Sequence, residues 1–216
     1  MRRRTVRKSS LLLRDERTVA VELQKATLES ILSDIGRSAP RLSGSTTALI
    51  AAQLGGAMAK MALVISGKQG GDNAQTIERL DSIAKDLKQA TEKDRIASKS
   101  LIDAYRQRPG KPGLRRILGD ATREPLAAAH LLVELMEVLA VASASVKSSV
   151  GSDFFGGAEL ISAAFQCVMM SVESNVRHDE ADDLQIRTFS ARSTLRTRHR
   201  NSAEMLRAEA ERIGLC

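Results

Sequence analysis

Apolar positions recur along this chain at helical spacing, and the stretch from Ser38 to Lys68 shows it with the smallest side chains. Ala48, Ala52, Gly55, Ala59 and Ala62 follow a 4-3-4-3 spacing, which is one stripe of a helix. A stripe with almost no side chain lets another backbone come very close. Gly55 and Gly56 lower helix propensity by roughly 1 kcal/mol each relative to Ala, which points to close helix contact or room for a ligand.

The same reading predicts the other elements. Residues 18–36 form a helix with Asp34 near its end and Gly36 as C-cap, followed by a loop from Ser38 to Ser45. Thr46 to Ile65 is the small-residue helix, and the chain turns between Gly67 and Asp72. Residues 74–107 form a long amphipathic helix whose buried stripe is Ile77, Leu80, Ala84, Leu87, Thr91, Asp94, Ser98, Leu101 and Tyr105. Its middle is polar, and a carboxylate on a core stripe must be paired, hydrogen-bonded or facing a cavity. A structural ion pair, or a local twist that lets Asp94 reach water, is the plain reading.

A break at Pro109–Pro112 precedes a short helix over 113–121, and Pro125 opens a further helix over 125–148 as its first residue. His130, Glu134 and Glu137 lie on its outer face. Gly151-Ser152-Asp153 caps a helix reaching about residue 176, with Glu159, Gln166 and Glu173 marking a narrow polar face. The last helix is 201–213. No alternating strand pattern of useful length and no repeat occurs. The expected fold is an all-α, single-domain helical bundle with long buried antiparallel helices.

Composition agrees. Aromatic residues make up only 2% of the chain against 43% hydrophobic, so the core must be built from Ala, Leu, Ile, Val and Met. The formal charge of +7 is uneven: residues 1–17 and 187–200 are strongly basic, and the remainder is slightly acidic. The domain plan is a basic N-terminal extension, 1–26, and a helical domain, 27–216. Basic flanks suit anionic partners, yet no aromatic residues are interleaved for stacking on bases, so nucleic acid is not expected. Cys167 and Cys216 form no disulfide or zinc pattern. Gln53 and Lys60 interrupt the one helix with the length of a membrane span, and the protein is expected in the cytoplasm with no membrane partner.

Two blocks together carry a resemblance. Ser38–Lys68 resembles the opening motif of the formiminotransferase-cyclodeaminase C-terminal domain family, which runs Ala-Pro-Thr-Pro-Gly-Gly-Gly-Ser into an Ala/Leu/Gly helix, then Met-Val, and ends near Gly-Lys. Ala39, Pro40, Gly44, Leu54-Gly55, Met61 and Gly67-Lys68 match. Ser152 to Val176 resembles the family's Ser-Asp block and helix ending in Asn-Val-x-x-Asn, through Ser152, Asp153, Val172 and Asn175. Asp94 and Ala97 fit an intervening Asp-x-x-Ala, and Glu124-Pro125-Leu126 fits a Val-Pro-Leu signature with Glu for Val. Leu42 stands for the second proline, Ser43 and Ser45 for the outer glycines, and Ser171 for the first Asn of the late motif. The resemblance spans roughly residues 27–180.

It implies a helical homodimer with a tetrahydrofolate derivative as substrate, bound between helices or subunits, and no metal. The favoured reaction is hydrolysis of 5,10-methenyltetrahydrofolate to 10-formyltetrahydrofolate, a cyclohydrolase. The alternatives are formimidoyltetrahydrofolate cyclodeaminase, which releases ammonia, and a diverged homologue acting on another formimidoyl or amidine compound. A non-enzymatic helical dimer with basic tails binding nucleic acid or an acidic partner is the reading outside catalysis. The resemblance points to Asp94 for acid/base work or cation stabilisation, Asp153 for ligand orientation and Lys68 for a pterin carbonyl or folate carboxylate. Ser43, Gly44, Ser45, Thr46, Ser152 and Asn175 are the implied substrate-binding residues. The plain readings are an N-cap at Ser45 and an exposed turn lysine at Lys68.

Overall fold

The computed structural model describes residues 23–37, 41–68, 73–107, 110–178 and 182–215. The extension through residue 22, Ser38, Ala39 and Pro40 of the first motif, the turn at 69–72, Pro109 and Cys216 lie outside the described residues. Six α-helices follow in chain order: α1 (Leu28–Ile35), α2 (Gly44–Lys68), α3 (Ala74–Gln107), α4 (Lys111–Ala142), α5 (Gly151–Val176) and α6 (Asp182–Arg212). Short 3-10 turns occupy Leu23–Lys25, Ser143–Ser145 and Ser148–Val150, and no strand occurs among the described residues.

Side-chain pairs fix how the long helices run. Lys60–Asp81, Gln53–Thr91 and Ser45–Asp94 lay α2 antiparallel to α3. Arg79–Glu134 lays α3 antiparallel to α4, and Glu173–Arg192 and Ser162–His199 lay α5 antiparallel to α6. The predicted small stripe is buried throughout, at Ala48, Ala52, Gly55, Ala59 and Ala62. At its centre α2 meets α5 backbone to backbone. A Cβ added at Gly55 would sit 2.4 Å from the Gly157 carbonyl oxygen, and one at Gly157 would sit 2.5 Å from that of Gly55. Around this seam pack Leu49, Leu63, Ile83, Leu87, Leu132, Met136, Leu139, Phe154, Ile161 and Met169.

Several expectations are corrected. The first helix is shorter, with Thr27 capping α1 by accepting from the Ser30 N–H. The α3 stripe buries Ile83, Ala97 and Ala104 where Ala84, Ser98 and Tyr105 were expected, each one residue toward the N-terminus, while Leu80, Leu87, Thr91 and Asp94 are buried as expected. The two helices 113–121 and 125–148 are one, α4, with Pro112 in its first turn and Pro125 inside it. Glu134 pairs with Arg79 of α3, and Glu137 with Arg198 of α6 at 2.7 Å. Val150, with no side-chain cap bond, precedes α5, so Ser152 and Asp153 are inside the helix.

The basic run 187–200 is the body of α6. Its arginines reach acids on neighbouring helices: Arg192 and Arg196 meet Glu173 at 2.6 and 3.1 Å. Three segments have the length and hydropathy of membrane spans: Gly44–Lys68, Lys111–Ser145 and Ser148–Val176. The buried share of these apolar windows is 39%, 56% and 56% in turn. The outer face of α2 and α5 keeps Leu54, Met61, Leu160 and Met170 exposed.

Candidate functional site

The first turn of α2 and the middle of α3 meet at one end of the bundle. Ser43 precedes α2 and caps it, its Oγ accepting from the Thr46 N–H at 3.1 Å, so the cap is Ser43 and not Ser45. That geometry turns three hydroxyls onto the Asp94 carboxylate. Ser45 Oγ donates to Oδ1 at 3.1 Å and to Oδ2 at 2.9 Å, Thr46 Oγ1 to Oδ2 at 2.6 Å, and Ser43 Oγ to Oδ2 at 3.4 Å. The hydroxyls are also linked to each other, Ser43 to Ser45 at 3.0 Å and Ser43 to Thr46 at 2.8 Å. Asp94 is 0% exposed, and no ion pair to it is present among the described residues.

Burial pushes the Asp94 carboxyl above its ordinary value, the hydroxyl bonds from Thr46, Ser45 and Ser43 pull it back, and the charge of Glu124 adds to the rise. Asp94 is thus a candidate acid that can hold a proton where an exposed aspartate would not. The plain reading of it as half of an ion pair does not hold.

One helical turn before it, Thr91 accepts from Gln53 Nε2 at 3.0 Å. These two residues belong to the floor of a cleft of about 600 Å³ between α1, α2 and α3, with Ile31, Ile50 and Leu54 as apolar walls and Lys88 and Glu92 at its edge. Apolar walls with a few fixed polar groups suit a flat heterocyclic ligand.

Asn175 has a different job at this end. Pro125 lacks an N–H, so the Ala121 carbonyl four residues earlier has no helical partner. Asn175 Nδ2 donates to that oxygen at 2.8 Å. The Glu-Pro-Leu and Asn motifs, far apart in sequence, therefore form one structural contact. Asn175→Ala is expected to cost about 1–3 kcal/mol, the penalty of an orphaned buried carbonyl. In a Pro125→Ala background the backbone N–H restored at that position should reduce the cost to a few tenths. Urea denaturation of the four proteins measures this, and an equal cost in both backgrounds would overturn the assignment. Nearby, the Thr122 hydroxyl is buried with no partner.

Gly44 stands between Ser43 and Ser45 at the start of α2, and Lys68, Ser152 and Asp153 lie elsewhere. Gly44 is exposed, with open space where a Cβ would point. Lys68 is the exposed last residue of α2, inside the helix and not after it, where a cation meets the negative end of the helix dipole. Ser152 is exposed and Asp153 half-buried in the first turn of α5. Since Gly157 lies against Gly55 and Ala59, Asp153 sits at the level of the last third of α2. A helical rise of roughly 25 Å separates it from the Asp94 end within one protomer. The structure thus joins Ser43, Ser45, Thr46 and Asp94, sets Asn175 on α4, and leaves Lys68, Ser152 and Asp153 toward the opposite end.

Sequence reasoning missed the influence of Glu124 on Asp94 and the pair formed by Ser162 Oγ and His199 Nε2 at 3.0 Å. The His199 ring stacks on Phe165 with centroids 4.2 Å apart, and burial holds it below its ordinary pKa, so it is a neutral packing group between α5 and α6.

Fold and site together define a class of all-helical bundle that keeps a buried, hydroxyl-bound carboxylate at one end of its small-residue helix. The chain belongs to the formiminotransferase-cyclodeaminase family, whose sequence pattern matches residues 27–191. Its fold is that of a solved formiminotetrahydrofolate cyclodeaminase from Thermotoga maritima, with a TM-score of 0.80 at 17% identity over 88% of this chain and 98% of that one. A search of curated proteins finds no match.

Proposed function

We propose that the protein is a folate-dependent one-carbon enzyme of the cyclodeaminase type, acting on 5-formiminotetrahydrofolate and releasing ammonia. The observation that carries this reading is Asp94: a fully buried carboxyl, free of any cationic partner among the described residues, bound by hydroxyls in the family's opening motif. In the reaction N10 attacks the formimino carbon and its proton passes to the imine nitrogen. A second proton then converts the amine into ammonia as the C–N bond breaks, leaving the cationic methenyl bridge. A carboxyl held above its usual range is the source of that proton, and the carboxylate left behind offsets the charge of the new cation through the field of the site.

The methenyltetrahydrofolate cyclohydrolase reading uses the same group on the next compound in this chemistry. The two are separated by the near-ultraviolet absorbance of the methenyl form, which grows with formimino substrate in the first case and decays with methenyl substrate in the second. Pure protein that changes neither signal would end both readings.

The reading includes a homodimer joined through the apolar outer face of α2 and α5. A two-fold axis crossing the middle of α2 lays the C-terminal end of one copy beside the N-terminal end of the other. Asp153 and Lys68 of one protomer would then approach the Asp94 end of its partner.

A further inference from the structure

We infer that Ser45 and Ser43 form a proton relay from the sealed Asp94 carboxyl to the half-buried mouth of α2, so that Ser43, and not Asp94, delivers the proton to the ligand. This rests on the folate reading above and refines it. Asp94 is 0% exposed, so its oxygens are closed to a ligand, and neither Asp94 nor Ser43 lines the cleft between α1, α2 and α3, which places the reacting end of the ligand beyond that cleft, at the mouth of α2. The hydroxyls form an unbroken path outward: Asp94 Oδ2 to Ser45 Oγ at 2.9 Å, and Ser45 Oγ to Ser43 Oγ at 3.0 Å. Ser43 is half-buried where Ser45 is buried, which makes it the outlet. Thr46, bonded to both Ser43 and Asp94, braces the path from the side.

A hydroxyl both donates and accepts, so it can pass a proton without ever carrying a full charge for long. The Asp94 O–H bond breaks as Ser45 Oγ gains that proton. Ser45 passes its own proton to Ser43 Oγ, and Ser43 passes its own to the departing amine nitrogen, which leaves as ammonia. Asp94 ends as carboxylate, each serine regains one O–H, and water restores the Asp94 proton along the same path. Ser43 and Ser45 stand where the resembling family pattern has glycines, so the path is a property of this chain's own sequence.

The test is turnover of formiminotetrahydrofolate by wild type, Ser43→Ala, Ser43→Thr and Ser45→Ala, with rates measured across mixtures of light and heavy water. Ser43→Ala and Ser45→Ala are expected to lower kcat by roughly tenfold or more while KM stays within about twofold, the pattern of a lost transition-state proton transfer. Ser43→Thr, which keeps the hydroxyl, should recover most of the rate. The wild-type rate should bow downward against the deuterium fraction because several protons move together, and Ser43→Ala should give a straight line. A purely structural role would leave the shape of that plot unchanged. Wild-type turnover with a straight line and an unaffected Ser43→Ala overturns the relay alone. No wild-type turnover on either folate substrate overturns the functional reading and the relay with it.

Discussion

Gly55→Ala is expected to destabilise the bundle strongly for the addition of a single methyl group. The added Cβ would lie 2.4 Å from the Gly157 carbonyl oxygen and 3.1 Å from the Leu160 Cβ. The first of these is backbone inside α5, so no side chain can swing aside. The helices must part, and the neighbouring Ala52, Ala59 and Ile161, all fully buried, lose contact with them. Overpacking costs typically about 1–3 kcal/mol, and a clash against rigid backbone belongs at or above the top of that range. Against a total stability on the order of 5–15 kcal/mol this is a large share. Gly56→Ala is the control. Its Cβ would meet only Leu135 Cδ2 at 3.7 Å, an ordinary contact, so the gain in helix propensity of roughly 1 kcal/mol should show as added stability. Urea denaturation of both variants decides the matter. A Gly55→Ala protein within half a kilocalorie of wild type would mean that α2 and α5 do not touch as described.

Asp94→Asn is expected to have the largest effect on function and the opposite effect on stability. Removing a general acid typically costs about 10²–10⁴-fold in rate, and that loss is the expectation for kcat. Stability follows from linkage. The folded carboxyl lies above its ordinary value of 3.8, so the folded state binds this proton more tightly than the unfolded chain does. The contribution is therefore complete below 3.8 and is lost as pH rises through the folded value. Wild type should lose stability over that window and stay on a lower plateau above it. Asp94→Asn has no proton to lose there and should be the more stable protein at neutral pH. Denaturation series over a range of pH test this, and parallel curves for the two proteins would show that Asp94 is not held protonated by the fold.

Much of the architecture is legible in the sequence because its signals are local. The small stripe of α2 and the extent of α3 follow from spacing alone. Pro125 misleads for a physical reason: a proline inside a helix usually marks a boundary, but here the carbonyl it frees finds Asn175 on a distant helix. The basic run in α6 reads as a tail because its compensating acids, Glu173 and Glu137, lie on other elements. At the site, Asp94 stands out as a carboxylate on a buried stripe, and Ser43, Ser45 and Thr46 as hydroxyls in a loop motif. That they bond one another depends on the antiparallel register of α2 and α3, which no local pattern encodes. The packing of α5 on α2 sets Asp153 at the far end with Lys68, although the motifs that contain them read as one set.

The contact between Gly55 and Gly157 also acts as an alignment mark. Two ordinary helices can slide or roll past each other by small steps, since long side chains repack as they go. A backbone-to-backbone touch leaves no such slack. If α5 advanced by one residue, Gly156 or Ala158 would replace Gly157 at the narrowest point, and Ala158 would bring a Cβ into the gap. Offset and rotation of the two helices are therefore indexed at this one contact, midway along α2 and near the start of α5, and whatever happens at either end is read against that fixed position. A displacement at the mouth of α2 cannot be absorbed by sliding. It must be met by bending or by parting of the pair, so substitutions far from Asp94 along this seam should change how the hydroxyls meet it.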